Sequence, residues 1–137
     1  MPVAQTGAVV EVGIFSRTGG PVLAGAVELV SPANKDRPAH RDALTSKCAA
    51  YVQAGVGLVV GDVVTDRVAD FHLDLLTRLG AADGTGPGAP LYAATYRPVE
   101  RNGAACLDVW YEPLAVGQPL PTMPLGLRGG LCLPVEL

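Results

Sequence analysis

Val22-Leu23-Ala24-Gly25-Ala26-Val27-Glu28-Leu29-Val30 is apolar at every position but one. A run of that length, rich in Val, Leu and Ala, suits a strand covered on both faces, although periodicity alone leaves a buried helix open. Upstream, Val9 to Phe15 reads as a strand, and Arg17-Thr18-Gly19-Gly20 supplies turn chemistry between the two. The pair therefore reads as a hairpin. Downstream, Ser31-Pro32-Ala33-Asn34-Lys35-Asp36 ends the strand. Pro38 suits a first helical turn, the composition stays helical to about Ala54, and Gly55 supplies a stop. Leu44, Cys48, Tyr51 and Val52 lie on one face of that helix. Val56 to Val64 returns as a third buried strand, followed by a helix from about Asp66 to Leu79 with Val68, Phe71, Leu75, Leu76 and Leu79 as its apolar stripe.

The interval from Ala81 to Pro90, dense in Gly and Pro, reads as a connection. Leu91 to Val99 and Ala105 to Tyr111 flank Arg101-Asn102-Gly103 and predict a second hairpin, because Asn-Gly favours a tight turn. Five prolines between Pro113 and Pro134 suit an edge or wrapping segment better than a central strand. The fold class expected is α/β: a mixed sheet with a strand-strand-helix-strand core, a helix packed on it, and C-terminal hairpins. One domain spans residues 1–137. The chain stops inside the strand-like run Pro134-Val135-Glu136-Leu137, an ending expected of a domain truncated at one or both ends.

Composition bounds the function. The chain has 137 residues, 49% hydrophobic and 17% charged, with a formal charge of −3. That is long enough to bury a core without disulfide or metal staples, and it carries no basic footprint for nucleic acid or an anionic membrane. Cys48, Cys106 and Cys132 contain no C-x-x-C pair, and no secretory leader pattern opens the chain, so a reduced, cytoplasmic setting without membrane attachment is expected. His40 and His72 lack H-E-x-x-H spacing and read as solvated or core histidines. Ser31 has no G-x-S-x-G elbow around it, and Gly19-Gly20 and Gly129-Gly130 read as hairpin turns rather than phosphate cradles.

Chemistry concentrates in the apolar strands, each of which carries one acid: Glu11, Glu28 and Asp62. A buried carboxylate needs a cation, a metal or hydrogen-bond donors, or else it shifts its pKa until it is neutral. Lys47, one of only two lysines, lies at the margin of the first helix's apolar stripe, where its ammonium could reach Glu28. Two carboxylates and a lysine would make a site able to hold a divalent metal. Charges at strand ends and a snorkelling lysine would leave the same trace in the sequence.

The stretch Val27-Glu28-Leu29-Val30-Ser31-Pro32-Ala33-Asn34-Lys35, continued by Asp36-Arg37-Pro38, Lys47, Leu58-Val59, Asp62 and Leu120-Pro121-Thr122-Met123-Pro124-Leu125, resembles a bacterial family catalogued as domain of unknown function 4058. More distantly, Glu28-Leu29-Val30-Ser31-Pro32 followed by Lys47-x-x-x-Tyr51-x-x-x-Gly55-Val56 is similar to the Uma-type family of proposed endonucleases, placed among restriction-endonuclease-like folds. The resemblance implies a magnesium-dependent cut of a phosphodiester in nucleic acid. In it Glu11 and Glu28 would hold Mg2+, Lys47 and Glu28 would be catalytic, and Lys35, Asp62 and Tyr51 would be supporting residues. The chain departs from that pattern in having Glu11 where Asp is usual and Val30 at the usual lysine position, so that Lys47 stands in from the following helix. No N-terminal helix fits before Ala8. The alternative expectation is an inactive member of the same fold, serving as a binding or assembly module with Glu28 and Lys47 as a structural ion pair. A further expectation is a homo-oligomer in which Leu131 to Leu137, an unpaired edge, completes a sheet in a second copy.

Overall fold

The computed structural model describes residues 10–17, 22–30, 38–63, 71–81 and 91–137. Lys35, Ser31, Gly19-Gly20, Val68 and residues 82–90 of the connection lie outside these. In chain order the elements are β1 (Val10–Ser16), β2 (Val22–Val30), α1 (Pro38–Gln53), β3 (Gly57–Asp62), α2 (Phe71–Arg78), β4 (Tyr92–Arg101), β5 (Ala104–Pro113), β6 (Thr122–Gly126) and β7 (Cys132–Glu136).

Strands β1 to β5 form one sheet in sequence order, while β6 and β7 form a separate two-stranded sheet. β1 runs antiparallel to β2, β2 is parallel to β3 through the α1 crossover, and β3-β4-β5 continue antiparallel. The mixed α/β sheet read from the sequence is therefore present. Ala24 has no partner in β1, since the register steps from Ile14↔Gly25 to Phe15↔Leu23. Such a bulge increases the local twist of the hairpin.

The near-continuous apolar run of β2 follows from its place in the middle of three layers. On one face Ala26, Val30, Leu58, Val60, Tyr92, Ala94 and Tyr96 pack against Leu44, Cys48, Ala49 and Val52 of α1 and Phe71 and Leu75 of α2. On the other, Val27, Val59 and Ala93 pack against Met123 and Leu125 of β6. The β6–β7 ribbon approaches so closely that a Cβ on Gly57 would lie 1.6 Å from the Gly126 carbonyl oxygen. Glycine is required at that contact for want of space, not for backbone angle.

The first helix ends as its glycine predicts. Gly55 adopts φ +84°, and the amides of Gly55 and Val56 return to the carbonyls of Val52 and Tyr51, a Schellman motif that fixes the last turn of α1. The Asn102-Gly103 turn has positive φ at both residues, as a two-residue hairpin loop demands. One expectation is corrected. The run Leu131 to Leu137 is not an unpaired edge, because Cys132–Glu136 pairs with Thr122–Gly126 of its own chain around the Gly129-Gly130 turn. The opposed prolines Pro124 and Pro134 are tolerated there because a two-stranded ribbon leaves one side of each strand without ladder bonds.

Candidate functional site

Glu11 and Glu28 are direct cross-strand partners in the β1–β2 hairpin. Directly opposed residues of an antiparallel pair present their side chains to the same face, here the face that carries α1. Two like charges so opposed repel, and α1 supplies the remedy. Lys47 and Tyr51 are four residues apart and so lie on one side of the helix. Their heads converge on the pair: Lys47 Nζ is 3.1 Å from Glu11 Oε2 and 2.9 Å from Glu28 Oε1, and the Tyr51 hydroxyl donates to Glu11 Oε1 at 2.5 Å.

The two carboxylates differ in surroundings. Glu28 is 1% exposed, and its contact with Lys47 is an ion pair without hydrogen-bond alignment; neither of its oxygens has a hydrogen-bond donor among the described residues. Glu11 and Lys47 keep 37% and 33% of their side-chain surface. The cluster thus opens to solvent along the edge strand and closes inward at Glu28.

Their titration diverges accordingly. The Tyr51 hydrogen bond, and then Lys47, lower the Glu11 pKa from its ordinary 4.5, whereas burial raises that of Glu28, with Lys47 opposing. For Lys47, burial works against the charge, but the pull of the Glu28 and Glu11 carboxylates exceeds it and raises the pKa. Burial and Glu11 push the Tyr51 phenol up to about 12, so it remains a donor at neutral pH. Burial similarly pushes the adjacent Cys48 thiol up to about 12, which makes it an inert core group rather than a nucleophile.

Opposite pH trends follow. A depressed carboxyl stabilises the fold above its unfolded pKa and ceases to do so as pH falls; a raised one favours the fold below that value and loses this contribution as pH rises. The melting temperature of wild type relative to Glu11→Gln is therefore expected to drop as pH falls below 4.5, and relative to Glu28→Gln to drop as pH rises above 4.5. Thermal melts of the three proteins across about pH 3 to 8 check both signs, and parallel curves for the two variants would refute the assignment.

The structure thus brings together Glu11, Glu28, Lys47 and Tyr51. Asp62 stays apart: it is buried at the end of β3, opposite Val30 and Tyr92, two positions past the Val60 that faces Glu28. Among the described residues no group of three His, Cys, Asp or Glu side chains is placed to hold a metal ion. His40 is exposed, while His72 is buried and shares a 2.5 Å hydrogen bond with the Tyr96 hydroxyl. Its ring also meets Tyr111, which stacks on Tyr92. That aromatic cluster belongs to the core. What the sequence left open was the Tyr51 hydroxyl's partner, because a tyrosine on an apolar stripe carries no mark of where its hydroxyl ends.

Among the described residues no helix is long and apolar enough to cross a membrane. No family model, curated protein or solved structure matches the chain.

Proposed function

We propose that this chain is a metal-dependent phosphodiesterase domain of nuclease type, with a core resembling the restriction-endonuclease-like fold. The observation that carries the reading is Glu28: a carboxylate buried in the sheet, with neither oxygen accepting a hydrogen bond among the described residues, beside a second carboxylate and a lysine. Such a donor set fits magnesium, which takes one or two protein carboxylates and fills its remaining positions with water and substrate phosphate. Glu11 and Glu28 would hold the ion. When bound, it would neutralise phosphate charge and lower the pKa of a bound water. Lys47, raised in pKa and a third exposed, stays cationic and can offer hydrogen bonds to a phosphate oxygen. Tyr51 fixes the orientation of Glu11 by donating to Oε1, leaving Oε2 toward Lys47. The strand-strand-helix-strand order, with both acids on the hairpin and the lysine on the next helix, supports the same reading.

Magnesium-dependent cleavage of single- and double-stranded DNA and RNA, compared with Glu28→Gln, tests it. Loss of a metal-holding carboxylate is expected to cost more than the roughly 10–100-fold typical of residues behind the ligands. Wild-type protein inert toward all four polymers and toward a small activated phosphodiester would sink the proposal.

A second reading has its own observation: Lys47 already pairs with an oxygen of each carboxylate, so the cluster holds together without a metal as a structural ion pair. The domain would then be an inactive binding or assembly module. Wild type that neither binds magnesium nor cleaves a phosphodiester, with stability lost in Lys47→Met, is its signature.

A further inference from the structure

The ammonium of Lys47 occupies the space between the two acids, within 3.1 Å of an oxygen on each. Glu11 Oε1 accepts from the Tyr51 hydroxyl, Glu11 Oε2 and Glu28 Oε1 face the ammonium, and Glu28 Oε2 has no donor among the described residues. One such oxygen is a poor magnesium site. Using both carboxylates would set a divalent cation and an ammonium on the same oxygens, where they repel strongly. Lys47 has somewhere to go, because its long side chain is a third exposed and can swing outward if another anion receives it.

We infer that Lys47 is the resident counter-ion of this site and competes with the divalent cation, so that magnesium binds tightly only when a phosphodiester anion draws the ammonium off the carboxylates. The inference rests on the metal-dependent reading above and adds an order of assembly to it. Cation and diester are then positively coupled, and each raises the affinity for the other by the same factor. In their absence the ion pair holds the acids together without metal.

Calorimetric titration of magnesium into the full chain, with and without dimethyl phosphate at matched ionic strength, tests this. For wild type, the diester is expected to tighten magnesium binding roughly tenfold, within the 5- to 150-fold usual for coupled sites. Lys47→Met is expected to bind magnesium about tenfold tighter than wild type without diester, and to lose the diester's effect. Equal or weaker binding by Lys47→Met, or no response of wild type to the diester, overturns the inference while leaving the metal reading standing. Absence of magnesium binding by wild type and Lys47→Met under every condition overturns both, and Glu28→Gln binding as wild type does would move the ion elsewhere and overturn both as well. A measurement on wild type alone guards against a variant that fails to fold. The chain has two lysines, so the Lys47 Hε–Cε NMR signal is read against Lys35. It is expected to shift with magnesium and diester together and to stay put with either alone at the same subsaturating concentration. A full shift with magnesium alone at that concentration overturns the requirement for the diester.

Discussion

Gly57→Ala is expected to lower the stability of the fold by about 3 kcal/mol, at the upper end of what overpacking costs. The reason is geometric. A methyl at this position would sit 1.6 Å from the Gly126 carbonyl oxygen, and the obstacle is backbone, so no side-chain rotation relieves it. Either β6 lifts off β3, exposing Met123 and Leu125 with Val59 beneath them, or β3 shifts away from its neighbours. Gly61→Ala provides the comparison, because there the nearest obstacle is the Cδ2 of Leu29 at 2.8 Å, the tip of a flexible side chain. It is expected to cost about 1 kcal/mol. Thermal melts should place Gly57→Ala roughly 10 °C below wild type, on the few degrees per kcal/mol typical of a domain this size. A shift within about 2 °C would mean that the ribbon does not rest on the sheet as described.

Lys47→Met is expected to cost about 2 kcal/mol at neutral pH. Removing one partner from a fully buried ion pair costs about 3–5 kcal/mol, and the figure is reduced here because Lys47 is a third exposed and water reaches the Glu11 side. What destabilises the variant is Glu28, left buried beside Glu11 with no cation. Its raised pKa sets the sign of the pH dependence: the loss is greatest where Glu28 is ionised and shrinks as pH falls toward 4.5 and the carboxyl takes up a proton. The double variant Lys47→Met/Glu28→Gln should recover much of the stability, because it removes the orphaned charge together with its partner. Urea melts at neutral and mildly acidic pH check both expectations. A loss that does not vary with pH, or a double variant no better than the single, would show that Lys47 contributes only its packed stem.

Much of this architecture is legible in the chain because its signals are local. Val22–Val30 is apolar but for Glu28, and the structure covers most of it on both faces. Gly55 and Asn102-Gly103 stand where the chain needs positive φ. The convergence of Lys47 on Glu28 is foreshadowed by an ammonium at the edge of an apolar helix stripe and an acid inside an apolar strand, two anomalies that resolve each other. Other features depend on distances between remote segments, which composition does not encode. Nothing around Gly57 announces that Gly126 will lie against it, since a glycine needed for clearance looks like one needed for a turn. The Gly129-Gly130 turn marks the hairpin of Thr122–Gly126 with Cys132–Glu136, but Pro124 and Pro134 weaken the strand pattern on both sides and leave its register unmarked. Asp62 shares with Glu11 and Glu28 the trait of an acid in an apolar run, yet the parallel register sets it two positions beyond Val60, the residue that faces Glu28.

The two acids of the cluster also sit on strands that the sheet anchors unequally. Glu28 lies on a strand paired on both sides, whereas Glu11 lies on β1, a seven-residue border strand whose ladder partner in the sheet is β2 alone. Border strands with exposed backbone bonds fray at a free-energy cost well below that of global unfolding. Each such excursion carries Glu11 away from Lys47 and Tyr51 while the three-layer body stays intact. Amides of Val10–Ser16 should therefore exchange with solvent hydrogen faster than those of Gly57–Asp62, and whatever the cluster does should fade on warming before the protein as a whole melts.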